Sequence, residues 1–204
     1  MKRLRHVLKQ RMSRFCGKDD GVVAIEAVII LPIIIWAYLA MFTIFDTYRQ
    51  YTTQQKAVYT ISDLISRQST PLDSSFVDGM YSLFLNLSLT REQPGMRVTV
   101  AKYDLILEEY QVIWSRTRGG MIGLQSADVA NWSNRLPVMP QDDQIIIVET
   151  TASFQPAFSI GLGEQTINNF VFTRPRYATQ VCYDDICDLP GAPPPAEPTE
   201  DDQA

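Results

Sequence analysis

The sequence predicts an α+β protein, in which a long N-terminal helix, transmembrane in its first half, precedes a small antiparallel β-sheet domain. An almost unbroken apolar run covers residues 22–45, and apolar residues continue beyond it at helical spacing. Four later segments are rich in β-branched and aromatic residues, as strands are. With 204 residues, 46% apolar and 20% charged, the chain can supply one modest globular domain.

The run 22–45 has the length of a membrane span. As a helix it would extend about 36 Å at ~1.5 Å per residue, enough to cross the hydrocarbon core of a bilayer. Seven Lys and Arg residues precede Gly21, whereas only two follow the run by residue 56. The positive-inside rule therefore predicts a cytoplasmic N-terminus and an exported remainder. The length of the run and the lack of a small-residue cleavage site near residues 38–40 favour an anchor over a cleaved secretory signal.

Glu26 is an ionisable side chain within this apolar run. A charge at the centre of a bilayer costs about 2.5–3.5 kcal/mol on insertion scales, so an intramembrane carboxylate is a functional hypothesis by default. If the chain were cut after Gly21, Val22 would carry a new α-amino group one helical turn from Glu26. The amine and the carboxylate could then neutralise each other within one chain or between adjacent chains. The simpler interpretation, a carboxylate near the boundary that reaches the headgroups, stays open.

The basic leader, Gly21, the apolar run and a Glu five residues after the Gly resemble the prepilin-peptidase site of type IV pilin-like proteins. More narrowly, GVVAIEAVIILP at 21–32 resembles the opening of TadE-like proteins, the pseudopilins of tight-adherence (Flp) pilus systems. The stretch F-x-R-P-R-Y at 172–177 resembles them more loosely. Ala27 stands where the small Flp filament subunits carry Tyr, which indicates an accessory subunit rather than the main one.

The resemblance implies a minor component of a tight-adherence pilus that acts in pilus assembly, in priming or at the tip. It implies cleavage between Gly21 and Val22 by a prepilin peptidase, and docking of neighbouring subunits through Glu26. The implied partners are that peptidase, other pilin-like subunits and the membrane. The implied location is a bacterial inner membrane, crossed once, with the C-terminal domain in the periplasm. Two alternatives stay open: an uncleaved single-pass anchored interaction module, and a pseudopilin of a type II secretion machine.

The composition argues against two other classes of function. The one histidine of the chain is His6, in the leader, so a mature protein would have no imidazole for a nucleophile pair or for a typical zinc site. We therefore predict no enzyme activity, no cofactor and no metal site. Beyond the apolar run, Lys and Arg are scattered among acids without an aromatic-interleaved basic stripe. Nucleic acid is therefore not an expected partner.

The predicted domains are the basic leader 1–21, the transmembrane half of the helix 22–45, a periplasmic α+β domain 46–188 and a tail 189–204. The helix is expected to continue through residue 68, and a second helix is predicted from the helical spacing of Phe76, Met80, Leu83, Phe84 and Leu87. The predicted strands cover 96–103, 103–116, 144–154 and 165–175, with a short helix around 127–136. The tail is acidic and rich in proline, which predicts disorder.

Three cysteines are present, of which Cys16 would leave with the leader. Cys182 and Cys187 remain, and the predicted topology places them in an oxidising compartment. We therefore predict a disulfide between them that stabilises a local turn. The competing interpretation, a cation held by Asp184 and Asp185, would provide few of the six to eight oxygens that calcium takes.

Overall fold

A computed structural model of the chain describes residues 20–88, 93–158, 161 and 163–187, with side chains from residue 25 onward. Residues 1–19 of the predicted leader and the predicted tail 189–204 lie outside this part of the chain. The helices are α1 (Asp20–Ser66), α2 (Ser74–Ser88), α3 (Ser126–Val129) and a 3-10 turn (Trp132–Asn134). The strands are β1 (Gly95–Asp104), β2 (Glu109–Arg118), β3 (Gln144–Phe154) and β4 (Gln165–Thr173).

The predicted α+β fold is confirmed: a long apolar N-terminal helix packs against a four-stranded antiparallel sheet. The strand order is β2-β1-β3-β4, and each neighbouring pair is antiparallel. The β1–β2 register shifts between Val100 and Ala101, whereas β4 pairs with β3 without interruption from Gln165 to Thr173. The sheet therefore carries an irregularity on its β2 side and a regular ladder on its β4 side.

The chain divides into two compact units, 1–47 with 156–163 and 48–155 with 164–204. In the first unit, Phe158 packs edge-to-face on Phe42 of α1, with ring centroids 5.8 Å apart. The second unit contains the last part of α1, α2 and the whole sheet.

The last part of α1 buries one of its faces against the sheet. Ala57, Val58, Ile61 and Ile65 recur at helical spacing and are buried, and α2 contributes the buried Phe84. They form one cluster with Leu72, Val77, Met96, Val98, Val100, Trp114, Ile146, Val148, Val171, Val181 and Tyr183. The two predicted helices thus cover one face of the sheet, and burial of this cluster is the main favourable term in folding the second unit.

The opposite face of the sheet is also covered, which the sequence analysis did not anticipate. All four residues of the run 145–148 in β3 are buried, and successive side chains of a strand point to opposite faces. Ile146 and Val148 join the cluster on the helix side, whereas Ile145 and Ile147 join a second cluster. The other members of that cluster are Ala101, Tyr103, Tyr110, Val129, Leu136 and Met139. The segment between β2 and β3 therefore forms a loop layer, and the sheet lies between this layer and the helices.

Two local predictions were wrong. The second strand was predicted from residue 103, but β1 ends at Asp104 and β2 begins at Glu109, so residues 105–108 form a turn. The side chain of Asp104 causes this, because its Oδ1 accepts hydrogen bonds from the backbone N–H groups of Ile106 and Leu107 at 2.9 and 3.3 Å. The predicted helix 127–136 is split into α3 and a 3-10 turn, since Asn131 has a ψ of 18° and leaves the α-helical conformation.

Asp73 caps the N-terminus of α2 and makes the stability of this helix pH-dependent. Its Oδ1 accepts the backbone N–H of Phe76 at 2.7 Å, and the Ser75 hydroxyl donates to the same carboxylate. The hydrogen bond from Phe76, followed by that from Ser75, lowers the pKa of Asp73 below its ordinary value. A carboxylate whose pKa is lower in the folded state contributes stability above its unfolded pKa, about 4, and loses it as the pH falls through the folded pKa.

We therefore expect the full chain in detergent to lose stability as the pH falls below about 4, with α2 losing protection early. Asp73→Asn keeps an oxygen that can accept the Phe76 N–H but removes the titration, so this component of the pH dependence should disappear. Amide hydrogen exchange of residues 74–88 at several pH values measures the effect. Equal pH dependence of α2 protection in the wild type and in Asp73→Asn would contradict the assignment.

Candidate functional site: an apolar helical stretch with one carboxylate

The first part of α1 exposes apolar side chains on all sides. Val28 and Ile33 are 73% and 61% exposed, and only 6% of the most apolar stretch of the helix is buried. A helix in the core of a soluble protein would be mostly buried, so this stretch needs an environment other than water. By length and composition, α1 is a candidate for a single membrane span or for a signal segment near the N-terminus.

The polar groups of this stretch include hydroxyls that are satisfied within the helix. Thr43 is buried, and its Oγ1 donates to the carbonyl oxygen of Leu39 at 2.9 Å. Thr47 donates to the carbonyl oxygen of Thr43 at the same distance. Hydroxyls that bond back to the preceding turn need no water, which makes them compatible with an apolar surrounding.

Glu26 differs from these hydroxyls because its charge has no partner in the described part of the chain. Its side chain is exposed, and it lies in an open groove that is otherwise lined by apolar residues of the same helix. These residues are Ala27, Ile30, Leu31, Ile34 and Ile35. Among residues 25–88, 93–158, 161 and 163–187, no side chain forms an ion pair or hydrogen bond with the Glu26 carboxylate. In an apolar surrounding the carboxylate therefore needs a donor or a cation from elsewhere.

Gly21 and Val22 lie in the first turn of α1, which begins at Asp20. Val22 and Glu26 are four residues apart, so one face of the helix carries both, with a rise of about 6 Å between them. A new α-amino group at Val22 would therefore lie one turn from the carboxylate. It would also be at the positive end of the helix dipole, which itself favours a nearby negative charge.

Cys182 and Cys187 are joined by a disulfide in the structure, with their Cα atoms 4.8 Å apart. We call residues 181–187 the C-terminal clasp. The clasp is attached to the segment before α2, because Leu72 donates its N–H to the Cys182 carbonyl oxygen at 2.9 Å and accepts from Asp184 N–H at 2.7 Å. Glu26 belongs to the first compact unit and the cysteines to the second, so they form two separate sites.

The clasp packs on the core cluster between the helices and the sheet through an aromatic contact. Tyr183 is buried against Trp114, with ring centroids 5.5 Å apart, and the Arg116 guanidinium lies 4.0 Å from the Tyr183 ring centroid. The indole Nε1 of Trp114 donates to the carbonyl oxygen of Val181 at 2.9 Å. The contact of Tyr183 with Trp114 was not predicted from the sequence, because it joins segments far apart along the chain.

The late F-x-R-P-R-Y stretch holds the C-terminal end of α1. Arg176 donates its backbone N–H to the Ser66 carbonyl oxygen at 2.8 Å, and its guanidinium pairs with Asp63 at 3.2 Å. Asp63 also accepts from Arg67 at 2.8 Å, and this hydrogen bond, with the charge of Asp63, raises the pKa of Arg67 above its ordinary value. The first arginine of the stretch, Arg174, pairs with Asp143. These contacts join segments far apart along the chain, so the sequence alone did not predict them.

Within the residues that the structure describes, no group of three or more His, Cys, Asp or Glu is arranged to hold a metal ion. Comparisons with protein-family models, with curated proteins and with solved structures find no match to this chain. The sequence patterns and the geometry above therefore carry the functional interpretation.

Replacing both clasp cysteines with serine should lower the free energy of unfolding of the full chain by about 2 kcal/mol in the chain-entropy estimate for so short a loop. In hydrogen exchange, the amide of Val148 in central strand β3 should lose protection by no more than this global change. The amides of Leu72 and Asp184 should lose more, because the segment that they pair with is then less constrained. Unchanged protection of Leu72 and Asp184 in the double variant would show that the clasp closes without the disulfide.

Proposed function

We propose that this chain is a minor pilin-like subunit, a pseudopilin, of a bacterial tight-adherence pilus. In this proposal it is cleaved between Gly21 and Val22 by a prepilin peptidase and docks to neighbouring subunits through Glu26. One observation carries the proposal: the apolar run 22–45 of α1 contains a single carboxylate, Glu26, which is exposed, lies five residues after Gly21 and has no partner in the described chain. The resemblance of residues 21–32 to TadE-like proteins supports the same interpretation.

The proposed docking follows from electrostatics in an apolar surrounding. An unpaired carboxylate is costly there, and its attraction to an opposite charge is much stronger than in water. Cleavage would create an ammonium at Val22 close to the position where the carboxylate lacks a partner. When helices of adjacent subunits pack side by side with a small stagger, the ammonium of one chain can reach Glu26 of the next. Pairing between chains would then set the stagger, because other registers leave both charges unpaired.

The folded second unit supports an accessory role over that of the main filament subunit. It contains a sheet with a buried cluster on each face, and it occupies most of the chain. Repeating so large a domain at every position would crowd a thin fibre built by packing N-terminal helices. Such a domain is compatible with a subunit that primes pilus assembly or is located at the end of the pilus. The proposed location is the inner membrane, with the N-terminus in the cytoplasm and the second unit in the periplasm.

Substitutions at Glu26 in the native host test the docking role. Glu26→Gln keeps the shape and removes the charge, so it should still insert into the membrane but lose cross-linking to other pilin-like subunits and lower piliation at least about tenfold, as expected for a close charge pair. Glu26→Asp keeps the charge and should retain partial assembly. Immunoblots of membranes and quantitative imaging of pili provide the readouts.

A matched control separates position from charge. The double variant Glu26→Ile with Ile30→Glu has the same composition and the same number of intramembrane carboxylates, but it moves the charge by one turn, about 6 Å. We expect it to insert and to fail in assembly. Normal piliation with Glu26→Gln would contradict the docking role of the charge. Normal piliation with the double variant would show that assembly does not require the carboxylate at position 26.

A further inference from the structure

The turn between β1 and β2 exposes three consecutive apolar side chains. Leu105, Ile106 and Leu107 are 48%, 88% and 57% exposed, and we call these three residues the apolar tip. A tight turn is ordinarily made by Gly, Asn, Asp, Pro or Ser, because those residues supply the required backbone conformations. The turn itself therefore does not explain three large apolar residues in succession.

The apolar tip is held in one conformation by polar groups around it. Besides the Asp104 carboxylate described above, the Oε1 atom of Gln141 accepts the Leu105 N–H at 2.6 Å. The C-terminal end of β1 is also joined to the loop before β3, since Tyr103 donates its N–H to the Asp143 carbonyl oxygen at 3.3 Å and accepts from Asp142 N–H at 3.1 Å. The side chains of the tip are thus presented by a braced backbone, so little conformational entropy is lost when a partner covers them.

The second pair of strand residues behind the tip is buried. These residues, Tyr103 and Tyr110, pair across the two strands, and their rings pack at a tilt of 56° with centroids 5.0 Å apart. The Tyr110 hydroxyl donates to the Pro137 carbonyl oxygen, and burial raises the pKa of Tyr110 above its ordinary value. The core thus ends at this aromatic pair, and none of residues 104–109 beyond it is buried.

Carboxylates outnumber cationic groups in the residues next to the apolar tip. Residues 102–109 carry three carboxylates, on Asp104, Glu108 and Glu109, against one ammonium, on Lys102. Glu108 and Glu109 are exposed, and Asp142 on the adjoining loop adds a further exposed carboxylate. An anionic membrane surface would repel this arrangement, whereas basic residues around an apolar pocket of a protein would complement it.

We propose that the apolar tip is a docking element, which inserts Ile106 and its two neighbours into an apolar pocket rimmed by Lys and Arg on another folded protein. The exposed Ile106 acts as the central anchor, and the flanking carboxylates steer and orient the encounter. This surface is distinct from the Glu26 helix and does not depend on cleavage, so the proposal stands or fails independently of the pilin assignment.

Site-specific photo-cross-linking of the full chain in its native host tests the proposal. A benzoylphenylalanine at position 106 is compared with one at position 122, because Ile122 is also a highly exposed isoleucine, at 81%. We expect a discrete protein adduct from position 106 and none at that mass from position 122. Leu105→Ser, or Glu108→Lys with Glu109→Lys, should reduce the adduct from position 106 at least about tenfold. The adduct should also weaken with added salt.

A second measurement distinguishes a protein from a lipid surface and shows whether the tip matters for the fold. Flotation with vesicles of phosphatidylcholine, with and without phosphatidylglycerol, should give the same binding for the wild type and for Ile106→Ser. Hydrogen exchange of β3 should also be the same in both. Equal adducts from positions 106 and 122, an adduct unaffected by the charge reversals, or vesicle binding that requires Ile106 would each overturn the proposal.

Discussion

The fold and the proposed function both depend on how the apolar surface of α1 is removed from water. Its second part does so inside the protein, because Val58, Ile61 and Ile65 form one stripe that packs on the sheet. Its first part is apolar on all sides and is mostly left uncovered by the described chain. Hydrophobic burial is therefore satisfied within the chain for one part of the helix and requires a membrane or other helices for the other.

In that apolar part, Glu26 imposes a second requirement. Its carboxylate can be accommodated by reaching water at a boundary or by meeting a positive charge. In the proposed function, cleavage after Gly21 creates that positive charge one turn away, and assembly brings it to the neighbouring chain. The same carboxylate is thus tolerated before assembly, near the membrane boundary, and stabilised after assembly. The fold of the second unit does not depend on assembly. Its two core clusters, its clasp and the Asp63 contacts with Arg67 and Arg176 all lie within that unit.

The sequence was sufficient to predict the fold class, both long helices and three of the four strands to within about three residues, because these depend on local apolar periodicity. It was not sufficient for features set by contacts between distant segments. The loop layer over Ile145 and Ile147, and the contact of Tyr183 with Trp114, are of this kind. The start of β2 was missed because DLILE has the composition of a strand, whereas one Asp104 side chain turns the backbone there. At the candidate site, the spacing of Glu26 from Gly21 was enough to identify this carboxylate as a candidate. It did not identify the group that pairs with its charge.

The N-terminal mass of the mature protein tests the central claim most directly. Wild type and Gly21→Leu are expressed with the prepilin peptidase of the native host, purified from membranes, and analysed by intact mass and N-terminal peptide mapping. The account predicts that wild type begins at Val22, whereas Gly21→Leu retains residues 1–21, because a bulky side chain blocks access of the peptidase to the backbone. A wild-type protein that still contains residues 1–21 would contradict the account, since Glu26 would then have no new α-amino group to pair with.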